Sequence, residues 1–376
     1  MDSQEKGKVN IITIIDNTNF GTYLQAFALA RTIDGLGYTV KIIDYCRKHQ
    51  SHSFLLISSL KTTRNPLKWI NRIINWGGNY LLREKDKRFL KKYLTKKKYY
   101  SFEELKKYYP KADIYITGSD QVWNSIHNRG IDKSYYWGFV PSSSLKISYA
   151  ASIGMPFIPE EEKKETFNLL SEYRYISVRE HSAENILKEL NIKEDKITTV
   201  LDPTLLLRKN EWLKFMSKRL IKEPYMIVYS VETKEQDKLI SQIAYKIAKE
   251  KGLKIAGVYY GGKKNRIDNT DFNFYRSTPP VFLSLFYYAD YCVVSSFHGT
   301  AFSINFQKDF LTVTPGRFNS RVNNLLEICN LQDRLVLNES YNINNGLVKI
   351  NYEKVNISIE KERKNSLNFL LKALEV

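Results

Sequence analysis

The sequence predicts an α/β protein of two Rossmann-like, doubly wound domains facing a cleft. Three observations carry that reading. The chain has 376 residues, too many for one ordinary core and suited to two. Short apolar runs alternate with stretches of helical periodicity along most of its length, the pattern of parallel strands joined by helical crossovers. Polar residues recur just after predicted strands, where open α/β sheets bind ligands. Hydrophobic residues make up 43% of the chain, enough to bury substantial cores.

The first strand is "VNIITII" (9–15), nearly continuous in apolar residues, as a strand buried on both faces should be. After the turn "DNTNFG", "TYLQAFALARTIDGLG" places Leu24, Phe27, Ala28, Ile33 and Leu36 at helical spacing, and Gly37 is a helix stop. "YTVKIIDY" completes a βαβ unit. A basic segment then interrupts the rhythm. In "NPLKWINRIINW", Leu67, Ile70, Ile73 and Ile74 share one helical face, and "LLREKDKRFLKKYL" reads as another helix. The alternation resumes at "ADIYITGSDQVWN" and continues through "KISYAASIG", a helix at 160–172, "YRYISVRE", "HSAENILKEL" and "ITTVLDPTLLL". In the second half "YMIVYSV", "LKIAGVYY", "DYCVVSS" and "DFLTVTP" are strands, while 234–250, "PPVFLSLFYYA", "TAFSINFQ" and "RVNNLLEICN" are helical. The expected organisation is a Rossmann-like domain at 1–207 with a basic helical insertion at about 47–111, a junction at 208–224, a second Rossmann-like domain at 225–351, and a helical tail at 352–376.

The formal net charge is +18, and between Arg47 and Lys111 there are 18 Lys and Arg against 4 Asp and Glu. Such a face attracts phosphate, an anionic membrane surface or an acidic polymer, unless it is simply a solvated surface. Trp69 and Trp76 among these cations suit a membrane interface, although two such helices can equally pack on their own domain. Cys46, Cys292 and Cys329 are far apart, which argues against a zinc site or a disulfide framework and fits a reducing cytoplasm. The opening "MDSQEKGKVNIITII" lacks the pattern of a signal peptide, and no apolar run reaches membrane-spanning length. No nucleic-acid reader motif is present, so no nucleic-acid partner is expected despite the charge.

Four strand-end stretches bear chemistry. Asn19 and Gly21, in the first turn, precede a helix whose free N–H groups suit an anion or sugar hydroxyls, or else form a plain N-cap. Ser119, Asp120 and Gln121 follow a strand; Asp120 is a candidate general base or a helix cap, and Gln121, Trp123 and Asn124 are good sugar neighbours. Arg179 leaves another strand as a planar fork for a carboxylate or phosphate, or pairs with Glu180 or another acid. His298 stands at a strand-to-helix corner, where the helix N-terminus disfavours an imidazolium unless an anion lies beside it. That placement suits a ring whose protonation changes when substrate binds.

Taken together, "NTNFGTYLQAFAL", "ITGSDQVWN", "YAASIG", "SVRE", "LDPTLLL", "SSFHGTAFSINFQKDFLTV" and "SRVNNLLEICNLQDR" resemble the polysaccharide pyruvyl transferase family, in family order from about residue 9 to 334. The resemblance implies a fold of the glycosyltransferase-B type. It also implies phosphoenolpyruvate as donor, a pyruvate ketal on a glycan or lipid-linked oligosaccharide acceptor, and no metal or cofactor. His298 is then the general acid, Arg179 the clamp on the donor's anions and Asp120 the base. Asn19, Gly21, Ser119 and Gln121 hold acceptor hydroxyls. Ser296 stands where glycan-acting members carry an Arg, and Lys308, Arg317 or Arg321 are candidates to replace it. The implied location is cytoplasmic, with segment 47–111 a candidate contact to the inner membrane face. The alternatives are a nucleotide-sugar glycosyltransferase of the same fold, which an acidic residue placed to grip a ribose would favour, and a non-catalytic binder of anionic surfaces or nucleic acid.

Overall fold

A computed structural model describes residues 6–16, 19–62, 65–231, 237–259, 267–314 and 319–375. The chain divides into one unit of Met1–Leu206 plus Asn365–Val376 and a second of Leu207–Lys364.

In the first unit, β1 (Lys8–Ile12), β2 (Thr39–Tyr45), β3 (Leu94–Tyr99), β4 (Ile114–Thr117) and β5 (Leu145–Ser148) form a parallel sheet in the order β3-β2-β1-β4-β5. A parallel pair, β6 (Ile176–Val178) and β7 (Ile197–Thr199), continues this layer. Single parallel bridges join Ile147 to Tyr175, Asp120 to Ala151, and Ala151 to Val178. The order reverses between β1 and β4, so the crevice of a doubly wound sheet lies at the C-terminal ends of those two strands. The helix Phe20–Gly35 is buried along nearly its whole length, which explains why its sequence is apolar on more than one face.

The second unit repeats the plan. β8 (Tyr225–Tyr229), β9 (Lys254–Val258), β10 (Phe272–Phe274), β11 (Tyr291–Val294), β12 (Asp309–Val313) and β13 (Leu335–Val336) run parallel in the order β10-β9-β8-β11-β12-β13. Its reversal falls between β8 and β11.

Three differences from the sequence reading have physical causes. Segment 47–111 is not wholly a helical insertion, because "LTKKKY" is β3, an edge strand beside β2. Lysines on an edge strand blunt it against further pairing and hide its strand signal. Residues 208–224 belong to the second unit, where the fully buried Trp212 packs edge-on against Phe302 at 5.2 Å. The helix Tyr352–Leu374 begins in the second unit, and its last turns belong to the first. There Ser366 Oγ accepts from Leu201 N at 2.9 Å.

Candidate functional site

At the C-terminal edge of the first sheet, three strand ends contribute to one buried polar cluster. Arg179 leaves β6 and is 2% exposed. Its Nη1 donates to Asp202 Oδ2 at 2.7 Å and lies 3.4 Å from Ser119 Oγ. Ser119 Oγ donates to the same Asp202 oxygen at 2.8 Å. Asp202 Oδ1 accepts from the N and Oγ1 of Thr204. The Asp120 carboxylate stands 3.7 Å from Arg179 Nη2, and Glu180 3.9 Å from its Nε. Burial works against the Arg179 charge, but Asp202, Asp120 and Glu180 outweigh it and hold the guanidinium protonated. The sequence reading had Arg179 grip the donor's anions. Within its own unit it pairs with Asp202 and stands 3.7 Å from Asp120, so it also positions that carboxylate.

Asp120 itself has φ of +82°, a conformation that a residue with a Cβ adopts only where its surroundings hold it. Three hydrogen bonds do so here: its carbonyl accepts from Val122 N and Ser152 N, and its Oδ1 accepts from Gln121 N. The consequence is a largely buried carboxylate fixed at the strand end. Gln121 lies over Gly154, where a Cβ would collide with its amide and φ is +60°. Trp123, expected beside a sugar, is instead a core ring stacked on Tyr136 at 5.7 Å. Asn124 caps the short helix Ser125–Asn128. Asn19 accepts from Gly21 N at 2.8 Å as the N-cap of Phe20–Gly35; Asn17 and Thr18 lie outside the described residues.

Asp16 and Asp202 are two further acids at strand ends. Each directly follows an apolar run, the signal that selected Asp120. Asp16 is buried and takes a two-pronged ion pair from Arg47, whose Nε and Nη2 donate at 3.0 and 2.8 Å. Arg47, counted with the basic surface, is therefore a strut between the ends of β1 and β2.

In the second unit the C-terminal edge carries Ser230, Ser295, Ser296, His298 and Thr314. Ser296 Oγ accepts from Gly299 N at 3.0 Å and so caps the helix Phe297–Asn305. His298 sits in that helix's first turn, 4% exposed, with Phe297 edge-on at 5.3 Å. Gly299 is required by close approach: a Cβ there would lie 2.8 Å from Val294 Cβ. The glycine thus lets the helix start directly against β11 and sets the imidazole at the strand end. Ser230 and Ser295 hydroxyls pair at 3.2 Å. Burial raises the Asp237 carboxyl above its ordinary value, against a hydrogen bond with Ser230. Asp237 was not anticipated from sequence.

Of the three cations considered as replacements near Ser296, Arg321 lies in the first turn of Ser320–Ile328, beyond the C-terminal end of β12. Arg317 lies outside the described residues. Lys308 is at the wrong end of the sheet. It immediately precedes β12, and its Nζ rests 5.6 Å over the Tyr287 ring, because Phe297–Asn305 has already carried the chain back across the unit.

The sequence profile of the polysaccharide pyruvyl transferase family matches residues 19–317. The chain belongs to that family. Its pyruvyl transferase profile spans Asp120, Arg179 and His298, and the family is one of transferases. No curated protein matches the chain. Among solved structures, this family member is similar to the UDP-GlcNAc 2-epimerase of Neisseria meningitidis, at 14% identity and TM-score 0.53 over 97% of this chain and all (100%) of the other. It is similar also to a UDP-N-acetylglucosamine 2-epimerase at 10% identity and TM-score 0.50, over 98% and 95% of the two chains. A glycosyltransferase from Rickettsia africae aligns at 14% identity and TM-score 0.47, over 99% and 96%. The fold is of the glycosyltransferase-B type.

Proposed function

We propose that this protein transfers pyruvate from phosphoenolpyruvate onto two hydroxyls of a sugar in a cell-surface, capsular or exopolysaccharide precursor, as a cyclic ketal. The observation that carries the reading is His298, held by a capped helix start at the strand end of a pyruvyl transferase family member. In the proposed reaction the imidazolium protonates the methylene carbon of the donor, and its C2 becomes electrophilic. One sugar hydroxyl adds at C2 and phosphate leaves with the C–O bond pair; the second hydroxyl closes the ring. The two hydroxyl protons end on the new methyl group and on phosphate, so the reaction balances without a redox partner. A general acid of this kind contributes about 10²–10⁴ in rate. Asp120 is the proposed base, held by Arg179. Ser119 is tied to Asp202, which supports the Asp120 loop, and Asn19, Gly21 and Gln121 are the proposed contacts to acceptor hydroxyls. Arg321 is the proposed cation for the donor's anions in place of the Arg absent at Ser296.

A second reading, nucleotide-sugar transfer, is favoured by one observation. Asp237 is a buried acid at the start of the helix following β8, at the strand-end edge where open α/β sheets bind ligands. Calorimetry separates the two. The proposal expects phosphoenolpyruvate to bind the wild type, more weakly His298→Ala and Arg321→Ala, with no heat from UDP-sugars. Clear UDP-sugar binding without phosphoenolpyruvate binding would overturn it.

A further inference from the structure

The helices His52–Lys61 and Pro66–Lys87 form a hairpin outside the sheet. Of the twenty exposed large hydrophobic side chains among the described residues, eight belong to this short stretch. They are not scattered. Leu67, Ile70, Ile74 and Leu81 recur at helical spacing on one face and are 72%, 54%, 65% and 68% exposed. A neighbouring stripe turns toward the first helix, where Trp76 Nε1 donates to the His52 carbonyl at 2.8 Å and the Tyr80 ring meets His52 at 4.5 Å. Lys68 and Asn75 lie away from the outer stripe, and Arg72 donates back to Ser59 and Thr62 at the end of the first helix. The outer stripe is therefore apolar and uncovered among the described residues, and a contiguous patch of this kind marks an interaction surface.

Charge selects what covers it. The surrounding segment holds 18 basic against 4 acidic residues in a chain of net charge +18. A second copy would bring two such segments together and be repelled, whereas an anionic surface attracts them. An uncovered aliphatic stripe beside a strongly basic segment is the combination that lies in the plane of a charged lipid surface. None of the helices, among the described residues, is long and apolar enough to cross a membrane, so the fitting geometry is in-plane. We propose that the hairpin docks the protein on an anionic lipid bilayer, its outer stripe sunk at the headgroup boundary and its Lys and Arg side chains on lipid phosphates. This docking is independent of the donor chemistry above, which is tested without lipid.

The experiment is co-sedimentation of the full chain with phosphatidylcholine vesicles, with and without about 30% phosphatidylglycerol. The expected result is binding to the anionic vesicles only, weakened at about 0.5 M salt. The triple variant Leu67→Glu/Ile70→Glu/Ile74→Glu should partition roughly tenfold less while keeping the wild-type circular dichroism and melting curve. Absence of binding to anionic vesicles, equal binding by the triple variant, or a lipid-free dimer that the triple variant abolishes would each overturn the proposal.

Discussion

Arg179 Nη1 meets Asp202 Oδ2 at 2.7 Å, with both side chains shut away from water. Twenty-three residues apart in the chain, they tie the ends of β6 and β7 to Ser119 at the end of β4. This pair sets how the Asp120 carboxylate is held, because the same guanidinium reaches it at 3.7 Å.

Removing one partner of a buried pair strands the other. Asp202→Ala should therefore destabilise the first unit by about 3–5 kcal/mol. The double variant Asp202→Ala/Arg179→Ala should cost less than the sum of its parts, since the two residues share one network. Urea unfolding of the four proteins measures the coupling; strict additivity would show that the ion pair does not organise the edge.

Asp120→Asn separates chemistry from architecture. Asn tolerates φ of +82° and keeps an oxygen for Gln121 N. Stability should change by no more than about 1 kcal/mol, while turnover, followed as acceptor-dependent phosphate release, should fall about 10²–10⁴-fold. Unchanged turnover would remove Asp120 from the proposed mechanism.

Gly299→Ala tests the helix start behind His298. Its Cβ would lie 2.8 Å from Val294 Cβ and 3.0 Å from Ser296 Oγ, so strand or helix must move. Overpacking of this kind costs about 1–3 kcal/mol. The melting temperature should drop, and donor binding should weaken together with it. A variant of wild-type stability would mean that the helix start has slack.

The helical hairpin should be acid-sensitive. Burial, with Arg83, Lys98 and Lys87 nearby, pushes His52 down to about 4. Its folded value lies below its unfolded one, near 6.5, so the unfolded chain binds the proton more readily in between. Stability is fully present above pH of about 6.5 and declines as pH falls toward about 4. With the ring half exposed, the loss should be on the order of 1 kcal/mol. Trp76 fluorescence during denaturation at pH 7 and 4.5 reads it, and His52→Phe should flatten the dependence.

Much of this was legible beforehand where the signal is local. "DYCVVSSFHG" shows a buried strand, a capping serine and a glycine in close succession, and His298 stands where that pattern puts it. Trp123 misled because an aromatic ring beside polar residues reads the same whether it faces a ligand or a core. β3 was missed because its lysines mask the alternation of a strand. Asp16 and Asp202 carried the same strand-end signal as Asp120, but acids are common at strand ends, and nothing local says which of them a cation will meet.

Two α/β units and a set of polar residues at strand ends are written in local pattern. Apolar period and strand-end position are properties of neighbouring residues, readable without knowing the sheet order. The tertiary structure alone decided the partners. Arg179 finds Asp202 and Ser119 because the order β4-β5-β6-β7 brings those strand ends into one layer. Lys308 is excluded from the His298 edge because a helix of nine residues carries it to the far end of its strand. Which charges meet depends on contacts between residues distant in the chain, and those exist only once the sheets have formed.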